Sequence, residues 1–280
     1  MSQVEITHPD KVWFPKEKIT KADVIAYYRS IASKMLGLLK GRPLVMQRFP
    51  DGIKKEGFFQ KNVPDYFPSW IKTVSVKREA KGRGNLMVCD TKDALLYLVN
   101  FGCLTPHLWL SSGKYLEKPD KLIFDIDPPK NQLSRAREVA FLLKEVLEKN
   151  YKLKPFVMTT GSRGYHVAVP IKQTVSFDEA REFAKKVAEE VVAENPKLCT
   201  TAARKVSRGG KIYIDVMRNG YAQHAVAPYA VRALPGAPIA MPISWTQLKK
   251  TDPQSFTISN YRKQTQNPWE GFTRSARTIH

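Results

Sequence analysis

Residues 122 to 129, LIFDIDPP, place two carboxylates one residue apart inside an apolar run that two prolines end. Side chains in a strand alternate between faces, so Asp125 and Asp127 share one face while Phe124 and Ile126 point into a core. Pro128 and Pro129 cannot extend a hydrogen-bonded ladder, which leaves the acidic face at the mouth of the strand. Two like charges this close stay ionised only where water, a cation or a positive neighbour compensates them. The stretch alone leaves two readings open. Either both carboxylates are solvated at a strand end, or they hold a hard divalent cation such as Mg²⁺ or Mn²⁺, which takes oxygen ligands.

The 280 residues can bury a substantial core, and 42% hydrophobic content is ordinary for a globular chain. The charge is not ordinary. Lys and Arg number 46 against 26 Asp and Glu, and the resulting +20 points to a polyanionic partner, nucleic acid before any other. A membrane surface is the weaker candidate, because the sequence has no long basic amphipathic helix and no apolar run near the ~20 residues a spanning helix needs. The start, MSQVEITHPDKVW, lacks the apolar core of a signal peptide, so the expectation is a cytoplasmic, nucleoid-associated protein with no membrane partner. Cys89, Cys103 and Cys199 are scattered and odd in number, and read as small core residues rather than a disulfide framework or zinc site.

Periodicity supplies the elements. Thr20 and Asp23 form a capping-box variant before Val24, Ile25, Tyr28, Ile31 and Met35 at helical spacing, with Gly37 and Gly41-Arg42-Pro43 marking the end. Strands are predicted at 43–49 and 70–76, a helix at 91–101 feeding a short strand at HLWL (107–110), and a central strand at LIFDID. A helix over 134–149, strands near 155–159 and 165–170, a helix from the Ser176/Glu179 capping box to about 193, and a strand over 211–217 follow. The tail after Trp245 has weak periodicity and is expected to wrap the surface. Strands and helices intermix throughout, which gives an α/β (α+β) fold class.

Three further stretches carry chemistry. In TTGSRGYHVAVP (159–170), two glycines flank Ser162 and Arg163 in a turn between strands, with His166 just beyond. Such a turn can aim backbone N–H groups, a hydroxyl and a guanidinium at a phosphate, or it can be an ordinary hairpin with a core histidine. In KIYIDVMRNG (211–220), Asp215 ends another apolar strand ahead of Arg218; it is either a third metal-binding carboxylate or an ion-pair partner of that arginine. In APYAVRALPGAP (227–238), Arg232 sits between prolines and either holds a triphosphate or pairs with a carboxylate.

FDIDPP, SRGYH and IDVMRNGYAQHAVAPYAVRALPGAPIAMPISW, in that order, resemble the polymerase domain of bacterial DNA ligase D, a branch of the archaeo-eukaryotic primase superfamily. The resemblance runs from VEITHPDKVWFP to at least Trp245. It implies a primase-like fold with a central mixed or antiparallel sheet flanked by helices. It also implies a single domain over 1–280: a DNA-binding part over about 1–85, a catalytic core over about 86–245 and a tail over about 246–280.

By the same resemblance the chain extends DNA ends in non-homologous end joining, with Ku and a DNA ligase as partners and a preference for ribonucleotides. Asp125, Asp127 and Asp215 are then the catalytic carboxylates, holding two Mn²⁺ or Mg²⁺ ions. Ser162, Arg163 and His166 contact the nucleoside triphosphate, Arg218 and Arg232 assist, and His107 lies near the sugar; many family members have Lys where Arg163 stands. GFFQKNVP (57–64) resembles a segment whose aromatic pair, here Phe58-Phe59, packs on template DNA beside Lys61. Strand alternation buries at least one of that pair. Lys11 and Lys21, on either side of the WFP turn, match a pair that grips the 5′-phosphate across a gap. A de novo primase and a non-catalytic DNA-end-binding module are the alternatives. Haloacid-dehalogenase phosphatases also carry an acidic pair after a strand, but place Thr or Val where this chain has Pro129.

Overall fold

Thr20 both closes the first hairpin and starts the first helix. Its hydroxyl accepts the Asp23 N–H (3.2 Å) while the Asp23 carboxylate accepts the Thr20 N–H (2.8 Å), so two otherwise orphaned donors are satisfied reciprocally. The computed structural model describes residues 4–77 and 82–279. In chain order it has β1 (Val12–Phe14), β2 (Ile19–Thr20), α1 (Lys21–Leu39), β3 (Pro43–Arg48), β4 (Phe58–Gln60), β5 (Thr73–Lys77), β6 (Arg83–Val88), α2 (Lys92–Asn100) and β7 (Cys103–Trp109). Then come β8 (Lys121–Asp127), α3 (Leu133–Lys149), β9 (Phe156–Thr159), β10 (Tyr165–Pro170), α4 (Phe177–Glu194), β11 (Cys199–Thr200) and β12 (Ile212–Asp215). β13 (His224–Val226), β14 (Pro242–Ile243) and the short helix α5 (Trp245–Leu248) complete the set.

The chain forms two compact units. The first comprises residues 1–113, 224–240 and 256–264, and the second 114–223, 241–255 and 265–280. The first unit holds the sheet β13-β7-β3-β6-β5, with β4 also on β3 and every pairing antiparallel. One edge of β3 is shared: β6 pairs with Pro43 and Leu44, and β4 with Met46 to Arg48. Buried tyrosines tie the 224–240 segment to this unit. Tyr27 Oη donates to Tyr229 O (2.7 Å), while Tyr28 Oη donates to Leu104 O (2.8 Å) and accepts the Val231 N–H (2.9 Å). Burial pushes both phenols well above their ordinary pKa, so they stay neutral donors.

The second unit holds the sheet β11-β12-β8-β10-β9-β14, antiparallel except for the parallel β11–β12 pair. Helices α3 and α4 pack against it through Val139, Leu143, Val146 and Phe183, Val187, Val191, rows at the helical period. The mixed, mainly antiparallel sheet with flanking helices is the architecture expected.

Several boundaries differ from expectation for physical reasons. Helix α1 continues through Gly37, since one interior glycine costs only about 1 kcal/mol and the helix buries a long apolar stripe. Turns started by Pro64 and Pro68 keep residues up to Ile71 out of strand, so β5 begins at Thr73. β7 begins at Cys103 and contains Pro106, whose carbonyl accepts the Ala227 N–H. β12 stops at Asp215, whose carboxylate accepts the Met217 N–H (2.8 Å) and turns the chain. The tail is not purely superficial: Trp269, Phe272 and Ile279 are buried, and Trp269 Nε1 donates to Val157 O (2.9 Å).

Candidate active site

β8 lies between β10 and β12, and the register puts His166 and Asp215 directly opposite Asp125 on its two sides. Directly opposed residues of an antiparallel sheet project to one face, so His166, Asp125 and Asp215 form a row across three strands. Asp127, two residues on, joins that face opposite Tyr213. Phe124 and Ile126 are fully buried, as the alternation requires.

Asp125 is only 8% exposed. Its Oδ1 lies 3.4 Å from His166 Nε2 and its Oδ2 3.7 Å from Arg218 Nε, so two nitrogen groups stand against it. Arg218, one of the two partners the sequence left open for Asp215, reaches Asp125 instead. Asp215 takes the Met217 N–H and the Tyr213 hydroxyl; burial first, and then the Asp215 charge, push that phenol up to about 12. Burial also raises Asp127, and the neighbouring charge of Asp125 adds to it, while Arg163 opposes the shift. His166 is buried, and its Nδ1 has no hydrogen-bond partner.

These are hard oxygen donors crowded enough to repel, the donor set a divalent cation neutralises. Among the described residues no three His, Cys, Asp or Glu side chains stand ready in ligating geometry.

The turn after β9 is organised by Thr160, which the sequence reading passed over. Its hydroxyl donates to Gly164 O (3.0 Å), lies 2.9 Å from Ser162 Oγ and faces the N–H groups of Ser162 and Gly164 (3.3 Å each). Gly161 takes φ 65°, and Gly164 packs so closely on β8 that an added Cβ would lie 1.9 Å from Ile126 O. Ser162 and the exposed Arg163 are thereby held beside Asp127. Together with Lys205, Arg208 and Lys211 they line a cleft of about 620 Å³.

Those last three cations were also missed. Their signal was present in RKVSRGGK (204–211), four cations in eight residues. Arg208 stacks on the Tyr213 ring (3.8 Å to its centre) and donates to Ala202 O and Ala203 O, which fixes its guanidinium. Gln254 donates to Ser162 O (2.9 Å) and steadies the turn from the other side.

The remaining candidates belong to the first unit. His107 Nδ1 lies 3.2 Å from His224 Nδ1, and the Phe59 ring lies against both imidazoles. His224 had not been singled out. Both Phe58 (48% exposed) and Phe59 (52% exposed) are open to solvent, contrary to the expectation that one is core. Strand β4 is a three-residue edge, so alternation separates their directions without burying either: Phe58 lies under Arg48, and Phe59 against the histidines. Lys61 is exposed just beyond β4. The β1–β2 hairpin brings Lys11 and Lys21 together, with Lys21 N–H donating to Lys11 O (2.8 Å). Lys11 Nζ meets Asp51 (2.5 Å), and Lys21 Nζ donates to Thr7 O (2.6 Å). Arg232 is half-buried, its N–H donating to Pro238 O (2.7 Å).

The LigD primase-polymerase domain family model matches residues 20–269. The chain is 30% identical over 255 residues to the multifunctional non-homologous end joining protein LigD of Mycolicibacterium smegmatis, covering 90% of this chain and 33% of that protein. It is 29% identical over 259 residues to the bifunctional non-homologous end joining protein LigD of Bacillus subtilis, covering 91% and 41%. It therefore spans about a third of the first and two fifths of the second. The polymerase domain from Mycobacterium tuberculosis ligase D, solved in complex with DNA, superposes with a TM-score of 0.90 at 26% identity, covering 99% of this chain and 100% of that one.

Proposed function

Because the chain belongs to the LigD primase-polymerase domain family, we propose that it adds nucleotides to the 3′-hydroxyl of a primer strand at DNA gaps and broken ends, as a polymerase of non-homologous end joining. The observation that carries this reading is the row of Asp125 and Asp215 across adjacent strands, with Asp127 beside it at the cationic cleft. DNA with 5′-phosphorylated gaps or ends and nucleoside triphosphates are the substrates, and Ku and a DNA ligase are the protein partners. Among the described residues no helix is long and apolar enough to cross a membrane. A DNA substrate would put the place of action at the nucleoid.

Asp125, Asp127 and Asp215 would hold two Mn²⁺ or Mg²⁺ ions. When bound, such ions lower the pKa of the primer 3′-hydroxyl and neutralise charge on the triphosphate and departing pyrophosphate. The protein's own share is positioning and charge. Ser162 and Arg163, on the turn Thr160 organises, and Lys205, Arg208 and Lys211 on the facing loop offer donors to phosphate oxygens. Arg218 and His166 hold Asp125 in place and contribute to the nucleotide pocket. Arg232 assists the phosphates, and His107, braced by His224, addresses the sugar and favours ribonucleotides. Phe58, Phe59 and Lys61 meet the template strand, with stacking worth ~1–3 kcal/mol per base. Lys11 and Lys21 take the 5′-phosphate.

The test is primer extension on a one-nucleotide-gapped duplex with and without a 5′-phosphate, with Mn²⁺ and ribo- or deoxynucleotides. Template-directed, metal-dependent addition that the 5′-phosphate stimulates is expected. Synthesis that needs no primer would make the chain a primase, and binding of the gap without addition would make it a DNA-end-binding module.

A further inference from the structure

On the face of β4 turned away from Phe59, the half-buried guanidinium of Arg48 stands beside exposed aromatic rings. Arg48 lies directly opposite Phe58 in the β3–β4 register, and its guanidinium sits 3.6 Å from the Phe101 ring centre and 5.2 Å from that of Phe58. Nε and Nη2 donate to Phe101 O (3.1 and 2.7 Å) and Nη1 to Gln60 Oε1 (2.8 Å), so the group is fixed by neutral acceptors and keeps its positive charge. Rings continue outward from Phe101: Tyr66 at 6.1 Å, and Tyr97 at 6.4 Å in a stacked pose with Trp70 5.5 Å beyond it. Tyr66 is 71% and Trp70 38% exposed. Exposed large aromatics that form a continuous patch mark a binding surface rather than a stray exposure.

We propose that Arg48, Phe58, Tyr66 and Trp70 form a second stacking platform, which takes the unpaired strand of a DNA end after it passes the edge of β4. The proposal rests on the DNA-polymerase reading above and extends its substrate contacts. Aromatic faces accept any base, a guanidinium stacks on bases and meets phosphates, and the +20 chain supplies the attraction. Continuity carries the path: Phe58 follows from Phe59 by one residue across a three-residue edge strand. A protein partner is the less favoured occupant, because the charged guanidinium at the centre of the patch is bonded to the neutral oxygens of Phe101 and Gln60 and leaves its charge for a polyanion.

The experiment measures affinity by fluorescence anisotropy for a blunt duplex and for duplexes with a 5′ or a 3′ single-stranded extension, using wild type, Tyr66→Ala/Trp70→Ala and Tyr66→Phe/Trp70→Phe. The alanine pair is expected to lose about tenfold, about 1.4 kcal/mol, on one or both extended duplexes. It should stay within twofold on the blunt one, and the phenylalanine pair should recover most of the loss. The two extensions identify which strand the platform takes. Equal loss on blunt and extended DNA would overturn the proposal as a structural effect. Unchanged affinity on extended DNA would overturn it too, turning the patch towards a protein. Gap extension by the same wild-type preparation reports the polymerase reading separately, so extension without any overhang effect sinks the platform alone.

Discussion

A methyl group on residue 164 would have nowhere to go: it would meet Ile126 O at 1.9 Å and Pro128 Cδ at 3.2 Å. Both neighbours flank Asp127, so Gly164→Ala must push the turn off β8 at the acidic end. We expect a loss of about 1–3 kcal/mol in chemical unfolding together with slowed nucleotide addition; unchanged stability would show that the turn relaxes freely. Lys21 makes a pH prediction. Burial, and then the Lys11 charge, draw its ammonium down from the ordinary 10.5 to about 8. Between those values the unfolded chain holds the proton that the folded chain has lost, so Lys21's contribution to stability rises with pH across that window. The 5′-phosphate binding proposed for Lys21 runs the other way, since it needs the ammonium form. Preference for a 5′-phosphorylated gap should fall by about tenfold from pH 7 to 9, and Lys21→Arg should keep it; a flat profile in the wild type would remove Lys21 from the phosphate site.

At the scale of elements, β8 has a partner that is not a strand. β12 pairs with residues 125 to 127 only, and beyond it the buried Asn219 side chain accepts the Ile123 N–H and donates to Ile123 O, both at 2.8 Å. One amide replaces a ladder rung and also fixes the turn that carries Arg218. Asn219→Ala should cost roughly 3 kcal/mol, because it orphans buried backbone groups, and chemical denaturation measures it directly; a loss below about 0.5 kcal/mol would mean water takes the place of the amide. Such a rung is not legible in a sequence, because Asn219 reads as an ordinary turn residue after a strand. β8, α1 and α4 were legible, since their alternation, helical spacing and capping boxes are local signals. The exposure of both Phe58 and Phe59 was not, because it depends on β4 being an edge.

For the whole molecule, the linear order hides the assembly. His107 with His224, and Asp125 with Asp215, lie in separate units, and the chain returns to each unit after leaving it. No local signal assigns β13 to the first unit's sheet and β14 to the second's. The shared face of the carboxylates was legible because they alternate with apolar residues in two strands, whereas the cations at 205–211 were one basic run among 46 Lys and Arg. The central claim is that Asp125, in register with Asp215, does chemistry rather than hold the sheet together. Asp125→Asn keeps the shape but removes the charge and one of the two acceptor oxygens. Extension of a gapped duplex should slow by about a thousandfold, roughly 4 kcal/mol of transition-state stabilisation, while DNA affinity stays within about twofold of wild type. Normal extension by Asp125→Asn would contradict the account.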